Sequence, residues 1–202
     1  MKPISLFVLA AALGFANAPA LAVATPGEAA PAFKLNDTNG KSVALADLKG
    51  KYVVLEWNNP SCPFVVKHYS SDNMQSLQRS LAGDKVVWLA VNSTNSGHSE
   101  YLSPDKLAAW FKQQKAAPTA ILMDSSSEMA RAYGARATPQ MMIIDPAGKV
   151  VYNGAIDDKR STNPADVKGA NNYVVAALTA ARAGQPIANA STSPYGCSIK
   201  YP

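Results

Sequence analysis

Tyr52-Val53-Val54-Leu55-Glu56-Trp57-Asn58-Asn59-Pro60-Ser61-Cys62-Pro63-Phe64-Val65-Val66 reads as a buried strand, a short loop, a cysteine and a helix. Tyr52 to Trp57 is rich in β-branched and aromatic residues, as a core strand is. Asn58 to Ser61 is turn chemistry. Pro63 suits the first turn of a helix, where a missing N–H costs nothing. Cys62 then falls at the helix N-terminus. Free N–H groups and the positive end of the helix dipole favour an anion there. The anion on offer is a thiolate, so Cys62 is a candidate reactive thiol.

The chain has 202 residues and two cysteines, Cys62 and Cys197. Residues 1–22 read as a signal peptide: Lys2, an apolar run from Ile4 to Phe15, and a small-x-small cleavage signal at Ala20-Leu21-Ala22. The run is too short to span a membrane, and no later segment reaches spanning length. A periplasmic or secreted location after cleavage near Ala22 follows, with no stable membrane insertion. Residues 23–202 fit one domain, with an extended tail at 184–202. Loss of Lys2 lowers the formal charge of +5 by one, and the basic residues are scattered. A nucleic-acid partner needs a basic patch or stripe, and none is present.

Export puts both cysteines in an oxidising compartment, far apart and at no zinc spacing. They form either a structural disulfide or a redox couple. A bridge closing so long a loop would stabilise by about 5 kcal/mol in the chain-entropy model.

Around the decisive stretch the elements alternate. Asn39-Gly40 predicts an N-terminal hairpin between Ala32–Leu35 and Ser42–Leu45. Phe64 to Leu81 has helical spacing, with a break expected at Ser70 to Asn73. Val86 to Val91 is a second strand. Ser103-Pro104-Asp105 starts a helix with a capping hydroxyl. Ala120 to Met123 is a third strand, and Ser126 to Tyr133 a short helix ended by Gly134. Gln140 to Asp145 and Lys149 to Asn153 are joined by the turn Asp145-Pro146-Ala147-Gly148. The last helix is predicted over Val167 to Ala183, with Val174, Val175, Leu178 and Ala181 inward. Val23 to Pro31 reads as a mobile lead-in. The class is α/β, with a central mixed β-sheet flanked by helices.

Three features carry a resemblance to the thioredoxin fold: the Tyr52–Val66 stretch, Ala137-Thr138-Pro139-Gln140 running into a strand, and the hairpin Ile144 to Val150. The N-terminal hairpin and the unit from Ala120 to Gly134 resemble the exported redoxin branch. That branch includes the alkyl hydroperoxide reductase/thiol-specific antioxidant proteins and the thiol reductases of cytochrome maturation. The resemblance implies a cis-proline at Pro139 that exposes the Thr138 backbone to an extended substrate beside Cys62. A thioredoxin carries a second cysteine where this chain has Val65. A peroxiredoxin carries Pro and Thr/Ser where this chain has Leu55 and Asn59.

On this reading Cys62 is the nucleophile and Cys197, folded back on a flexible tail, the resolving cysteine. Thr138 and Pro139 bind substrate. Pro63, Arg136 and Glu56 support the site: Arg136 reaches Cys62 or is an exposed loop arginine, and Glu56 is a proton acceptor or an ordinary strand charge. His68 is structural or exposed, and Trp57 packs in the core. His98, Met141 and Met142 lack metal-ligand spacing, so neither a metal nor another cofactor is expected. The partners implied are a protein or small-molecule disulfide, or a peroxide, and an external dithiol reductant. Thiol–disulfide exchange leads, because the peroxide motif is missing. Thiol peroxidation by the same cysteines is the alternative, as is a non-catalytic binding protein clamped by a structural 62–197 disulfide.

Overall fold

The computed structural model describes residues 24–81, 83 and 85–202. The signal segment and its cleavage point lie outside these residues. The first hairpin pairs β1 (Lys34–Asn36) with β2 (Ser42–Ala44) across Asn39-Gly40. Gly40 takes φ +78, which the turn requires and glycine permits.

The central sheet has five strands. β3 (Tyr52–Trp57) lies in the middle, parallel to β4 (Val86–Asn92) and antiparallel to β7 (Gln140–Ile144). β5 (Ala120–Met123) pairs parallel with β4, and β8 (Val150–Gly154) pairs antiparallel with β7. The order β5-β4-β3-β7-β8 is the mixed sheet that the alternation implied. A sheet buried on both faces needs apolar residues at successive positions, which Val53-Val54-Leu55 and Met141-Met142-Ile143-Ile144 supply.

The two faces carry separate cores. Val54, Trp88, Met141, Ile143 and Tyr152 pack under α1 (Pro63–Ser70), α2 (Asn73–Leu81), α3 (Pro104–Gln113) and α5 (Tyr173–Arg182). Val53, Leu55, Trp57, Leu89 and Met142 pack under α4 (Glu128–Tyr133) and the N-terminal segment. Trp57 is a core residue, with its ring 5.7 Å from that of Tyr133. The break between α1 and α2 falls at Ser71-Asp72, where Asp72 takes φ +57.

Five local expectations need correction. Ser103 precedes α3, but its hydroxyl makes no capping hydrogen bond. The last helix starts later than expected, because two asparagines compete for the start. Asn163 accepts from the Ala165 N–H and opens a 3₁₀ turn over Pro164–Gly169. Asn172 accepts from the Val175 N–H and opens α5. In α5 the buried residues are Val174, Ala177 and Leu178, while Val175 is exposed. The lead-in is pinned rather than mobile: Ala24 is buried, and Gly27 and Ala30 donate to the Val150 and Gly148 carbonyls.

The tail corrects the fifth expectation. It is extended but docked. Its first part runs along the outer edge of β8, where Asn153 donates to the Ala190 carbonyl and Thr192 donates back to the Asn153 carbonyl. A Cβ at Gly154 would lie 2.0 Å from the Thr192 hydroxyl, so only glycine admits this approach. Its last part forms β9 (Cys197–Ser198), antiparallel to β6 (Ala137–Thr138).

Removal of the α5 cap should cost about 1 kcal/mol. Urea unfolding of Asn172→Ala, followed by circular dichroism, should show a lower midpoint with an unchanged slope.

Candidate active site

The site forms where two loops leave the central sheet side by side. The loop after β3 delivers Cys62, and the turn between β6 and β7 delivers Thr138 and Pro139. Asn59 shapes the first loop: its side chain accepts from the Ser61 N–H at 3.0 Å and its carbonyl accepts from the Cys62 N–H at 3.0 Å. Cys62 is then the N-cap of α1, with Pro63 in the first turn. The cysteine side chain does not cap the helix itself. It donates to the Thr138 carbonyl at 3.0 Å.

The Thr138–Pro139 peptide bond is cis. Gln140 fixes this turn, and sequence reading passed it over. Its carbonyl oxygen Oε1 accepts from the Arg136 N–H at 2.8 Å and its Nε2 donates to Asn153 Oδ1 at 2.9 Å. Asn153 in turn donates to the Ala24 carbonyl at 2.9 Å. A polar residue directly after a turn proline, at the start of an apolar strand, was the available signal.

Cys197 reaches the site along β9. The register pairs Thr138 with Cys197, and the Cys197 N–H donates to Cys62 Sγ at 3.4 Å. The Thr138 hydroxyl donates to the Cys197 carbonyl at 3.4 Å. Both cysteines are free thiols. Cys62 is buried, with 1% of its surface exposed, and Cys197 is half-buried. Burial pushes the Cys197 thiol up to about 12, and the adjoining Cys62 side chain pushes it the same way. Cys197 is therefore a neutral thiol at pH 7 in this arrangement.

The supporting residues divide. Pro63 stands where expected. Arg136 does not reach Cys62: its side chain is exposed and lines a cavity with Arg131, Gln140, Asn153 and Tyr201. No hydrogen bond joins it to the sulfur. Glu56 is fully buried on the α1 side of β3. It accepts from Tyr69 Oη at 2.7 Å, Trp88 Nε1 at 2.8 Å, Asn58 Nδ2 at 3.0 Å and Gln78 Nε2 at 3.2 Å. Burial raises its carboxyl above the ordinary carboxylate range, against donors that pull it down. Through Tyr69 this carboxyl ties α1, and hence Cys62, to the sheet.

A second polar cluster lies under α1 on the other side of Cys62. His68 is fully buried. Its Nε2 lies 3.3 Å from the Tyr195 hydroxyl and its Nδ1 lies 2.8 Å from Asn73 Nδ2. The six-residue spacing from Cys62 gave no hint of this, because the partner comes from the tail. Burial lowers the His68 imidazole to about 4, Asp157 opposes the shift, and Lys67 reinforces it.

Chains with this sheet order, a thiol at this helix start and a facing cis-proline are thioredoxin-like, and the class of chemistry is thiol-dependent oxidoreduction. The comparison with known families is more specific: residues 26–153 match the AhpC/TSA family, and the chain belongs to it. Among curated relatives it is 29% identical over 150 residues to the thiol-disulfide oxidoreductase ResA of Bacillus subtilis, an alignment covering 72% of this chain and 78% of ResA. It is also 29% identical over 143 residues to a Mycobacterium tuberculosis protein that carries a peroxiredoxin name, MT2597, covering 63% of this chain and 82% of that one. Among solved structures, an uncharacterized conserved protein from Geobacillus kaustophilus superposes with a TM-score of 0.75 at 28% identity, over 89% of this chain and 94% of that one. Among the described residues no helix is long and apolar enough to cross a membrane.

The buried imidazole gives a pH dependence. The folded value of about 4 lies below the ordinary 6.5, so the unfolded chain binds the extra proton first. Stability should be fully present above pH 6.5 and fall as the pH drops towards 4, by an amount on the order of 3 kcal/mol. Urea unfolding at pH 7 and pH 4.5 should show a smaller pH effect in His68→Gln than in the unaltered protein.

Proposed function

We propose that the protein is an exported, single-domain thiol-disulfide oxidoreductase in which Cys62 is the nucleophile and Cys197 resolves the intermediate. The observation that carries this reading is the register of β9 on β6, which brings the Cys197 N–H to 3.4 Å from Cys62 Sγ while both cysteines remain thiols. Cys62 stands at the N-terminus of α1, whereas burial holds Cys197 protonated beside it. That asymmetry assigns attack to Cys62. Export rests on the signal-type leader.

The cycle balances with a substrate disulfide and an external dithiol. Cys62 thiolate attacks one sulfur of the substrate disulfide. The Cys62–substrate bond forms, the substrate S–S bond breaks, and the leaving thiolate takes up a proton. Cys197 gives up its proton and attacks Cys62 Sγ. The 62–197 disulfide forms and the second substrate thiol leaves. The substrate gains two electrons, the protein loses two, and the external dithiol returns them. Thr138 and Pro139 hold the substrate beside Cys62, and Glu56 keeps the helix that carries Cys62 in place.

Peroxide reduction by the same pair is the second reading, favoured by the family match and by a thiol too buried for a bulky oxidant while the tail is seated. There Cys62 takes one oxygen to become a sulfenic acid, releasing water or an alcohol. Cys197 then condenses with it to the disulfide and a second water. Against it, Leu55 is a core residue and Asn59 donates to Glu100 at 2.6 Å, so neither offers the peroxide contacts of a peroxiredoxin.

The test is the reduction potential of the mature protein in a redox buffer series, with turnover on disulfides and on hydrogen peroxide. A reversible 62–197 couple between about −120 and −270 mV supports a working redox pair. Cys62→Ser should lose turnover, and Cys197→Ser should accumulate a mixed disulfide at Cys62. A bridge that resists reduction below about −300 mV would overturn the proposal in favour of a structural clamp.

A further inference from the structure

The tail crosses the site at Tyr195-Gly196-Cys197, and its backbone grip there is light. β9 is two residues long, and one of its N–H groups, that of Cys197, is spent on the Cys62 sulfur. The nearby Ile199 N–H reaches the Arg136 carbonyl only at 3.3 Å. Downstream, Ile199 is buried, the Lys200 carbonyl accepts from the Asn95 N–H at 2.9 Å, and Tyr201 donates to the Ala135 carbonyl at 2.6 Å. Upstream, immediately before the crossing, Tyr195 is 4% exposed and enters a built socket.

The socket is polar at its base and apolar at its wall. The Tyr195 hydroxyl donates to Asp157 Oδ1 and faces His68 Nε2. Its ring packs on Phe64, with centroids 5.7 Å apart, and Lys67 Nζ lies 5.7 Å from its centroid. Lys67 is itself buried and donates to the Lys159 carbonyl at 2.7 Å. Asp157 Oδ1 also accepts from the Lys159 N–H at 2.9 Å, and its Oδ2 is buried without a partner. Phe64, Lys67 and His68 all belong to α1, the helix that Cys62 caps. A core tyrosine needs no such arrangement. This one holds the tail against the helix that bears the nucleophile, two residues before the second cysteine.

Gly196 completes the fit. It takes φ +138, and a Cβ there would lie 2.0 Å from the Thr138 carbonyl oxygen. The tail can pass over the cis-proline turn only because this position has no side chain.

We propose that Tyr195 is the positioning residue of the resolving cysteine: seated between Asp157 and His68, it holds Cys197 on Cys62 and closes the site to bulky disulfides until the tail lifts. The inference rests on the pairing of Cys62 and Cys197 put forward above. Its physical content is an effective concentration, which sets how readily an intramolecular bond closes. Loosening the latch has two opposed effects. Closure of the 62–197 disulfide becomes less favourable, and access of a large reagent to Cys62 becomes faster.

The experiment uses the full mature chain with Tyr195→Phe, Gly196→Ala and Asp157→Ala. In glutathione buffers the equilibrium for closing the disulfide should fall at least tenfold in each, a shift of about 30 mV for a two-electron couple. In a Cys197→Ser background, a polyethylene-glycol maleimide should label Cys62 at least tenfold faster in each. Circular dichroism should show all variants folded at the assay temperature. Should Tyr195→Phe fail to fold, Gly196→Ala lifts the tail without touching the socket. Tyr195 and Asp157 share a contact, so the double variant should lose less than the sum of the two singles. Effects that sum, or closure and labelling unchanged in the folded variants, would overturn the latch. Turnover by Cys62→Ser is measured apart from these. Its loss would leave Cys62 as the nucleophile even if the latch fails, and its retention would remove the nucleophile whatever the tail does.

Discussion

The hydrogen bond from Cys62 Sγ to the Thr138 carbonyl holds the site together. It joins two loops that leave the sheet from adjacent strands, and its 3.0 Å length is met only if both strands keep register. β3 and β7 pair over five residues, so the two loops emerge side by side. A slip of one residue would turn Val53, Leu55 and Trp57 onto the face of Glu56, and Glu56 into the apolar core. The sheet therefore protects the chemistry by making the wrong alignment expensive.

Glu56 shows how a buried charge-bearing group can serve packing. An isolated buried carboxylate is costly, and this one is surrounded by donors from β4, α1, α2 and the loop after β3. The arrangement places tight demands on four side chains. It also fixes the distance between α1 and the sheet, which aliphatic packing alone leaves softer. The network stops one layer short of the sulfur, so its first effect is on where Cys62 sits.

Much of the fold was legible in the chain. Tyr52 to Trp57 and Ala120 to Met123 are strands over the residues expected, and Pro63 starts α1. These signals are local: β-branched runs, a proline and a helix period. Pro139 was legible only through resemblance, since sequence spacing does not distinguish a cis bond. What stayed hidden depends on contacts between distant segments. Arg136 looked placed for the thiol by its distance from Pro139, but its side chain is exposed and lines the cavity with Arg131 and Tyr201. His68 looked unplaced because its partner, Tyr195, lies more than a hundred residues later. The tail looked flexible because its composition is that of a loop, while single residues such as Gly154 and Gly196 carve the seats that hold it.

The pairing of Ala190 and Thr192 with Asn153 has a consequence for scale. That part of the tail covers the outer edge of β8, where open N–H and C=O groups would otherwise invite another strand. It is fastened independently of the distal part, so a lifting tail pivots after Thr192. Cys197 is the fifth residue beyond that anchor, a leash of about 18 Å at full stretch. The second thiol can leave room for a visitor and still stay within that distance of its anchor.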